Sequence, residues 1–273
     1  MSRIYIYYGS FASAAYFTDL FGVPAAAYSL RKLSPNAVYS GAAIRVRRSS
    51  DNTEQDINFL SSAVDSPLDT TALSTFVGAN NGFVVTWYNQ NGSANHFTQT
   101  TASLQPRIVN AGTIELLGGL PCVNILNVAF FNNNDLRGNA RQDTYIVRSN
   151  SKTTYIKQST GSAFGSEADY IAQNGNGSTT ITLAYGTPTL YANKSLFTGT
   201  SRSDVYTHLN GHKIEVQQNG TTTAWANYLF GIYGGSAAFN YEGLVSEFIV
   251  WKADKSSQRN DINDNQNDYY NVF

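Results

Sequence analysis

The stretch AYSLRKLSPNAVYSGAAIRVRRSSDNTEQDINF, from Ala27 to Phe59, decides the fold. Within it Ile44 and Val46 alternate with Arg45 and Arg47, the period of two that belongs to a strand with one buried face. Arg48 to Glu54 then turns the chain. Three arginines, Arg45, Arg47 and Arg48, meet Asp51, Glu54 and Asp56 within a few residues. A planar guanidinium forks onto a carboxylate, so these charges are expected to neutralise one another locally as a structural clamp rather than a substrate clamp.

Working outward, Asp69 to Gly78 reads as a short helix, with Asp69 as its cap and Gly78 as its stop. Phe83 to Tyr88 is an unbroken apolar and β-branched run, the mark of a strand buried on both faces, and Asn89-Gln90-Asn91-Gly92 turns the chain after it. Asn-Gly pairs at 81–82, 91–92, 174–175, 176–177, 210–211 and 219–220 are hairpin signals. Between the last two, HKIEVQQ sends Ile214 and Val216 one way and Lys213, Glu215 and Gln217 the other. Further strands are expected at Ile114 to Leu117, Cys122 to Val128, Thr144 to Val147, Thr179 to Tyr185, Val205 to Leu209 and Leu244 to Trp251, and a final helix near Ser257 to Tyr270. Many short strands with few helices define an all-β fold, an antiparallel two-sheet jelly-roll sandwich.

At 273 residues the chain can bury a large core without a staple. Cys122 is its one cysteine, so no internal disulfide forms and no Cys/His cluster marks a structural zinc. The net charge of −1 supplies no basic field for nucleic acid and no polybasic segment for acidic lipid. Charged residues make up only 14% of the chain, so neutral polar groups must cover the surface, as suits an extracellular or particle-bound protein. No run approaches membrane-spanning length, and the opening MSRIYIYYGSFASAAYFTDLFG lacks the apolar core of an export signal. The expectation is therefore a segment over 1–23 whose Ile4, Tyr5, Ile6, Tyr7 and Tyr8 serve attachment or oligomerisation, followed by one sandwich over 24–273.

Four stretches then carry a family resemblance: AYSLRKL, AIRVRRSSDNTEQDI, VVTWYNQNG and QTTASLQPRIV. Together they resemble the opening half of the concanavalin A-like catalytic domain of α-L-arabinofuranosidase B enzymes, and GIYGGSAAFNYEGLVSEFIVW resembles its closing strands. The family usually has Asp where this chain has Asn89. The same module is similar to one that recurs in bacteriophage virion proteins. In the enzymes the nucleophile sits in an Asp-Leu-Glu-Asn run and the general acid in a Gly-Gly-Asp-Asn run. Here the second run reads Gly234-Gly235-Ser236-Ala237, and the nearest stand-in for the first is Glu167 and Asp169 in FGSEADY. A glycosidase of this kind needs two carboxyl groups.

On that departure the sequence predicts no catalytic residues and a non-enzymatic phage structural protein, a capsid decoration, head fibre or spike at the virion surface. Its partners would be other copies of itself, as a homotrimer, a capsid or tail protein, and host-surface polysaccharide, with no nucleic acid and no membrane insertion. The alternative is a carbohydrate-active protein, either an arabinofuranosidase-like hydrolase or a glycan-binding module. Trp225, in TTTAWANY, is the aromatic candidate for stacking on a sugar, with Glu167, Asp169 and Ser236 beside it as glycan-binding candidates. No cofactor and no metal site are expected. His208 and His212 straddle a predicted hairpin but lack a third ligand, and calcium at the Asp51 to Asp56 loop is the single open case.

Overall fold

A computed structural model describes residues 15–125, 132–134, 141–150, 155–159, 170–173, 189–200, 202–221, 227–230 and 243–273. The attachment candidates Ile4 to Tyr8 and the expected strand at Thr179 to Tyr185 lie outside them. Helix α1 (Phe17–Phe21) leads into β1 (Ala26–Ser29), β2 (Ile44–Arg48) and β3 (Glu54–Ile57). After α2 (Thr70–Val77) come β4 (Gly82–Trp87), β5 (Phe97–Thr98), β6 (Arg107–Asn110), β7 (Thr113–Ile114), β8 (Leu116–Leu117), β9 (Leu120–Pro121) and β10 (Val123–Ile125). The second half holds β11 (Asn132–Asn134), β12 (Arg141–Asn150), β13 (Tyr155–Ser159), β14 (Tyr170–Gln173), β15 (Thr189–Ala192) and β16 (Ser195–Leu196). It closes with α3 (Arg202–Leu209), β17 (His212–Thr221), β18 (Asn227–Phe230), β19 (Gly243–Trp251) and α4 (Arg259–Tyr270).

Every strand pairing is antiparallel among the described residues, and the ladders fall into two layers. In one, β1 pairs β19, β19 pairs β12, β12 pairs β17 and β17 pairs β15. In the other, β3 pairs β2, β2 pairs β4, and β4 pairs β5 and β6. Strand β10 joins the layers at one end by pairing both β19 and β6. The expected all-β sandwich is thus the observed fold, with short helices packed on it.

The core explains the sequence patterns. Between the layers, Tyr28, Ile146, Phe248 and Val250 from the first meet Ile44, Val46, Val84, Trp87 and Ile108 from the second. The first layer is covered on its other face too, where Tyr145, Val147, Val216 and Ile249 lie under Phe17 and Phe21 of α1 and Ile262 and Tyr270 of α4. A sheet buried on both sides needs largely apolar strands, which is why β19, GLVSEFIVW, is apolar apart from Ser246 and Glu247. Part of the N-terminal segment therefore belongs to this packing: Phe17 sits 5.7 Å from the Trp251 ring.

The turn after β4 is a fastener between layers. Asn89 and Gln90 are wholly buried. Asn89 Oδ1 accepts the Ala27 N–H at 2.8 Å, and its Nδ2 donates to Ser93. Gln90 Oε1 accepts the Leu33 N–H at 2.8 Å, while its Nε2 donates to the carbonyls of Ser29 and Arg31. These amides replace the missing ladder along the chain that leaves β1, so buried backbone groups stay paired. Gln90→Leu keeps the volume and leaves one N–H and two carbonyls unpaired. Urea unfolding should show it less stable by about 2–3 kcal/mol.

Two expectations fail, the strand at Val205 to Leu209 and the hairpins at Asn81-Gly82, Asn210-Gly211 and Asn219-Gly220, since Gly82 opens β4 and Asn219-Gly220 lies inside β17. Val205 to Leu209 is not a strand but the last part of helix α3. Gly211, at φ 85°, ends that helix region instead of closing a hairpin, so Asn210-Gly211 acts as a stop signal.

Candidate functional site

The inter-layer face of the first sheet changes character along its strands. It is apolar at Ile146, Phe248 and Val250 and turns polar toward the far end of β12 and along β17. Ile146 stands opposite Glu215, and Thr144 opposite Gln217. Arg148, two residues beyond Ile146, forms an ion pair with Glu215, and both side chains are essentially without solvent exposure. Gln217 Nε2 donates to Glu215 Oε1 at 2.6 Å. A charge pair costs more to desolvate than an apolar pair of the same volume, so each member depends on the other and removing either would leave an uncompensated buried charge. At this same end Asn150 pairs with Gly243, the first residue of β19, and the sequence Gly234-Gly235-Ser236-Ala237 shortly precedes it.

HKIEVQQ contains the signal for this pair, yet an alternating polar face reads by default as a solvent face. What distinguishes β17 is its position between β12 and β15, which sequence alone does not show. The four glycan-binding candidates, Trp225, Glu167, Asp169 and Ser236, lie outside the described residues.

The arginine cluster lies apart from this region, on β2 and its turn. Arg45 Nε reaches Glu54 at 2.8 Å and its Nη1 reaches Asp56 at 3.1 Å, where the Tyr88 hydroxyl also donates. Arg48 grips both oxygens of Asp51. Arg47 turns to neutral partners, Gln105 Oε1 at 2.6 Å and Asn52 Oδ1 at 2.8 Å. Exposed pairs like these are screened by solvent and add little to stability; they chiefly fix the β2–β3 connection. Asp51 also accepts the backbone and side-chain donors of Thr53, so its oxygens are committed, and the Arg48 guanidinium, ahead of Thr53, holds its pKa well below the usual carboxylate range.

Among the described residues no group of three or more His, Cys, Asp or Glu is placed to hold a metal ion. His208 lies on α3 and His212 on β17, and burial lowers the pKa of both imidazoles. Cys122 is a buried free thiol, its pKa raised by burial and then by Glu115. Open grooves of about 780 and 660 Å³ run along the two sides of α2, the first lined by Arg48, Gln55, Asp69 and Phe76 and the second by Pro67, Leu68 and Ile114.

Two antiparallel layers packed face to face define a jelly-roll-like all-β sandwich. The chain belongs to the α-L-arabinofuranosidase B catalytic-domain family, whose model matches residues 21–180. Solved structures agree on the fold. An arabinofuranosidase complexed with arabinofuranosyl-α-1,2-xylobiose superposes with a TM-score of 0.56 at 16% identity, covering 91% of this chain and 63% of that one. A GH54 α-L-arabinofuranosidase soaked with a cyclic sulfate inhibitor gives 0.52 at 16% identity with the same coverage. This chain therefore spans less than two thirds of the length of these structures. No curated protein matches the sequence.

These findings overturn the reading of a non-enzymatic virion structural protein. The match falls on the catalytic domain of a hydrolase family, and nothing in it indicates a capsid decoration, head fibre or spike. That reading rested on two departures, Ser236 in the acid run and the missing nucleophile run, and these do not outweigh a family match over residues 21–180.

Proposed function

We propose that this chain is a glycoside hydrolase domain that cleaves α-L-arabinofuranosides, with a preference for leaving groups that depart without a proton. The observation that carries the reading is the family match over residues 21–180, on a chain whose fold follows arabinofuranosidase structures over 91% of its length. The reaction needs one carboxylate at the anomeric carbon and a proton for the departing oxygen. Glu167, with Asp169 beside it, is the carboxylate we assign to the first task. Trp225 offers a ring for the sugar face. The Arg148–Glu215 pair is too deeply buried to touch a sugar, and its part is to fix the floor on which β12, β17 and β19 meet.

The test compares three aryl glycosides of equal leaving group: 4-nitrophenyl α-L-arabinofuranoside, α-L-arabinopyranoside and β-D-xylopyranoside. Release of nitrophenol from the furanoside at a rate at least tenfold above the two pyranosides is the expected result. Equal rates on all three, or none on any, would overturn the proposal.

A further inference from the structure

Helix α4 lies over the outer face of the first sheet, and the stripe it turns inward is polar. Arg259, Asn263, Gln266 and Tyr270 follow one another at spacings of four, three and four, which places them on one face. Asn263 and Gln266 have no solvent exposure. Gln266 Nε2 donates to Glu247 Oε1 at 3.1 Å, and the Tyr270 hydroxyl bonds Glu247 Oε2 at the same distance. Yet Asn263 Nδ2, Asn263 Oδ1 and Gln266 Oε1 have no hydrogen-bond partner among the described residues, and neither has Arg259 Nε at the outer end of the stripe.

Buried polar groups in folded proteins are paired, and where protein groups do not pair them an ordered water does. The donor and acceptor balance identifies the ligand. Nδ2 of Asn263 needs an acceptor, while its Oδ1 and the Oε1 of Gln266 need donors. A cation would leave the amide donor unpaired, and an anion would leave both carbonyl oxygens unpaired. Only an amphoteric molecule satisfies all three, and the closed setting limits it to the smallest. Residues three apart on a helix face lie within reach of one bridging molecule.

We infer that Asn263 and Gln266 form a binding site for an ordered internal water, which links α4 through Gln266 to the buried Glu247 carboxylate. The helix is then attached to the sheet by a hydrated polar seam as well as by Ile262 and Tyr270.

The experiment is a crystal structure of the full chain at a resolution that shows ordered water, together with oxygen-17 relaxation dispersion, which detects waters held far longer than surface ones. A density peak within hydrogen-bond distance of both side chains is expected, and Asn263→Leu should lose that peak and lower the long-lived water signal. Asn263→Ser, which retains donor and acceptor, should keep both and covers the case in which the leucine variant does not fold. Asn263 and Gln266 bonded to protein groups with no peak between them would overturn the assignment. So would an anomalous signal there after a rubidium soak, which would place a cation at the site.

Discussion

Ser236→Asp is expected to raise kcat/KM for arabinofuranosyl-substituted xylobiose by about 10² to 10⁴ while changing kcat/KM for 4-nitrophenyl α-L-arabinofuranoside less than tenfold. The reason lies in the leaving group. Nitrophenolate is a stable anion near neutral pH and departs without a proton, whereas a sugar alkoxide must be protonated as its bond breaks. In the enzymes this family resembles, an aspartic acid in a Gly-Gly-Asp-Asn run supplies that proton, and a serine hydroxyl here is far too weak an acid to do so. The wild-type chain should therefore favour activated substrates, and restoring a carboxyl group at position 236 should close the gap. Initial rates on both substrates, with each variant checked for folding, give the ratio. An equal change on both would show that position 236 does not serve the leaving group.

The second large effect is on stability. Arg31→Met should destabilise the protein by about 3–5 kcal/mol, because it strands the Glu247 carboxylate in the core. Arg31 Nε reaches Glu247 Oε2 at 2.9 Å, and Nη2 reaches Glu247 Oε1 at 3.2 Å and Asn265 Oδ1 at 2.9 Å. Nη1 bonds Asp65 Oδ1 at 2.9 Å. The rings of Phe17, Tyr269 and Tyr270 surround the guanidinium, with centroids at 5.6, 5.0 and 5.5 Å. One side chain thus ties α1, the loop before α2, β19 and α4 together. Burial by itself would lower the Arg31 pKa, and Glu247 more than reverses this, so the charge is retained. Denaturant unfolding of Arg31→Met, Glu247→Leu and the pair together checks the account. The double variant should lose much less than the sum of the singles, since neither charge is then left alone.

The alternation around Ile44 and Val46, the apolar run of β4 and the capped helix at Thr70–Val77 were legible in the sequence because each rests on local chemistry. Asp69 accepts the Ala72 N–H as its type and position imply. The hairpins were less legible. Among the described residues the Asn-Gly pairs mostly serve other ends: Gly82 opens β4, Gly211 follows α3, and Asn219-Gly220 lies inside β17. The tight reversals with positive φ at both central residues use Ala111-Gly112, Gly118-Gly119 and Asn193-Lys194 instead. Turn type follows from the twist that flanking strands impose, and a dipeptide reports only that it can comply. The buried pairs Arg31–Glu247 and Arg148–Glu215 were invisible for a related reason. Each joins residues far apart in the chain, and the register that brings them together is a property of the whole sheet.

The most direct test of the central claim is turnover of 4-nitrophenyl α-L-arabinofuranoside by the full chain beside its Glu167→Gln variant, with matched unfolding curves. The assignment predicts measurable release of nitrophenol by the wild type and a loss of at least a hundredfold in the variant. No release by the folded wild type, or equal release by both proteins, would contradict it.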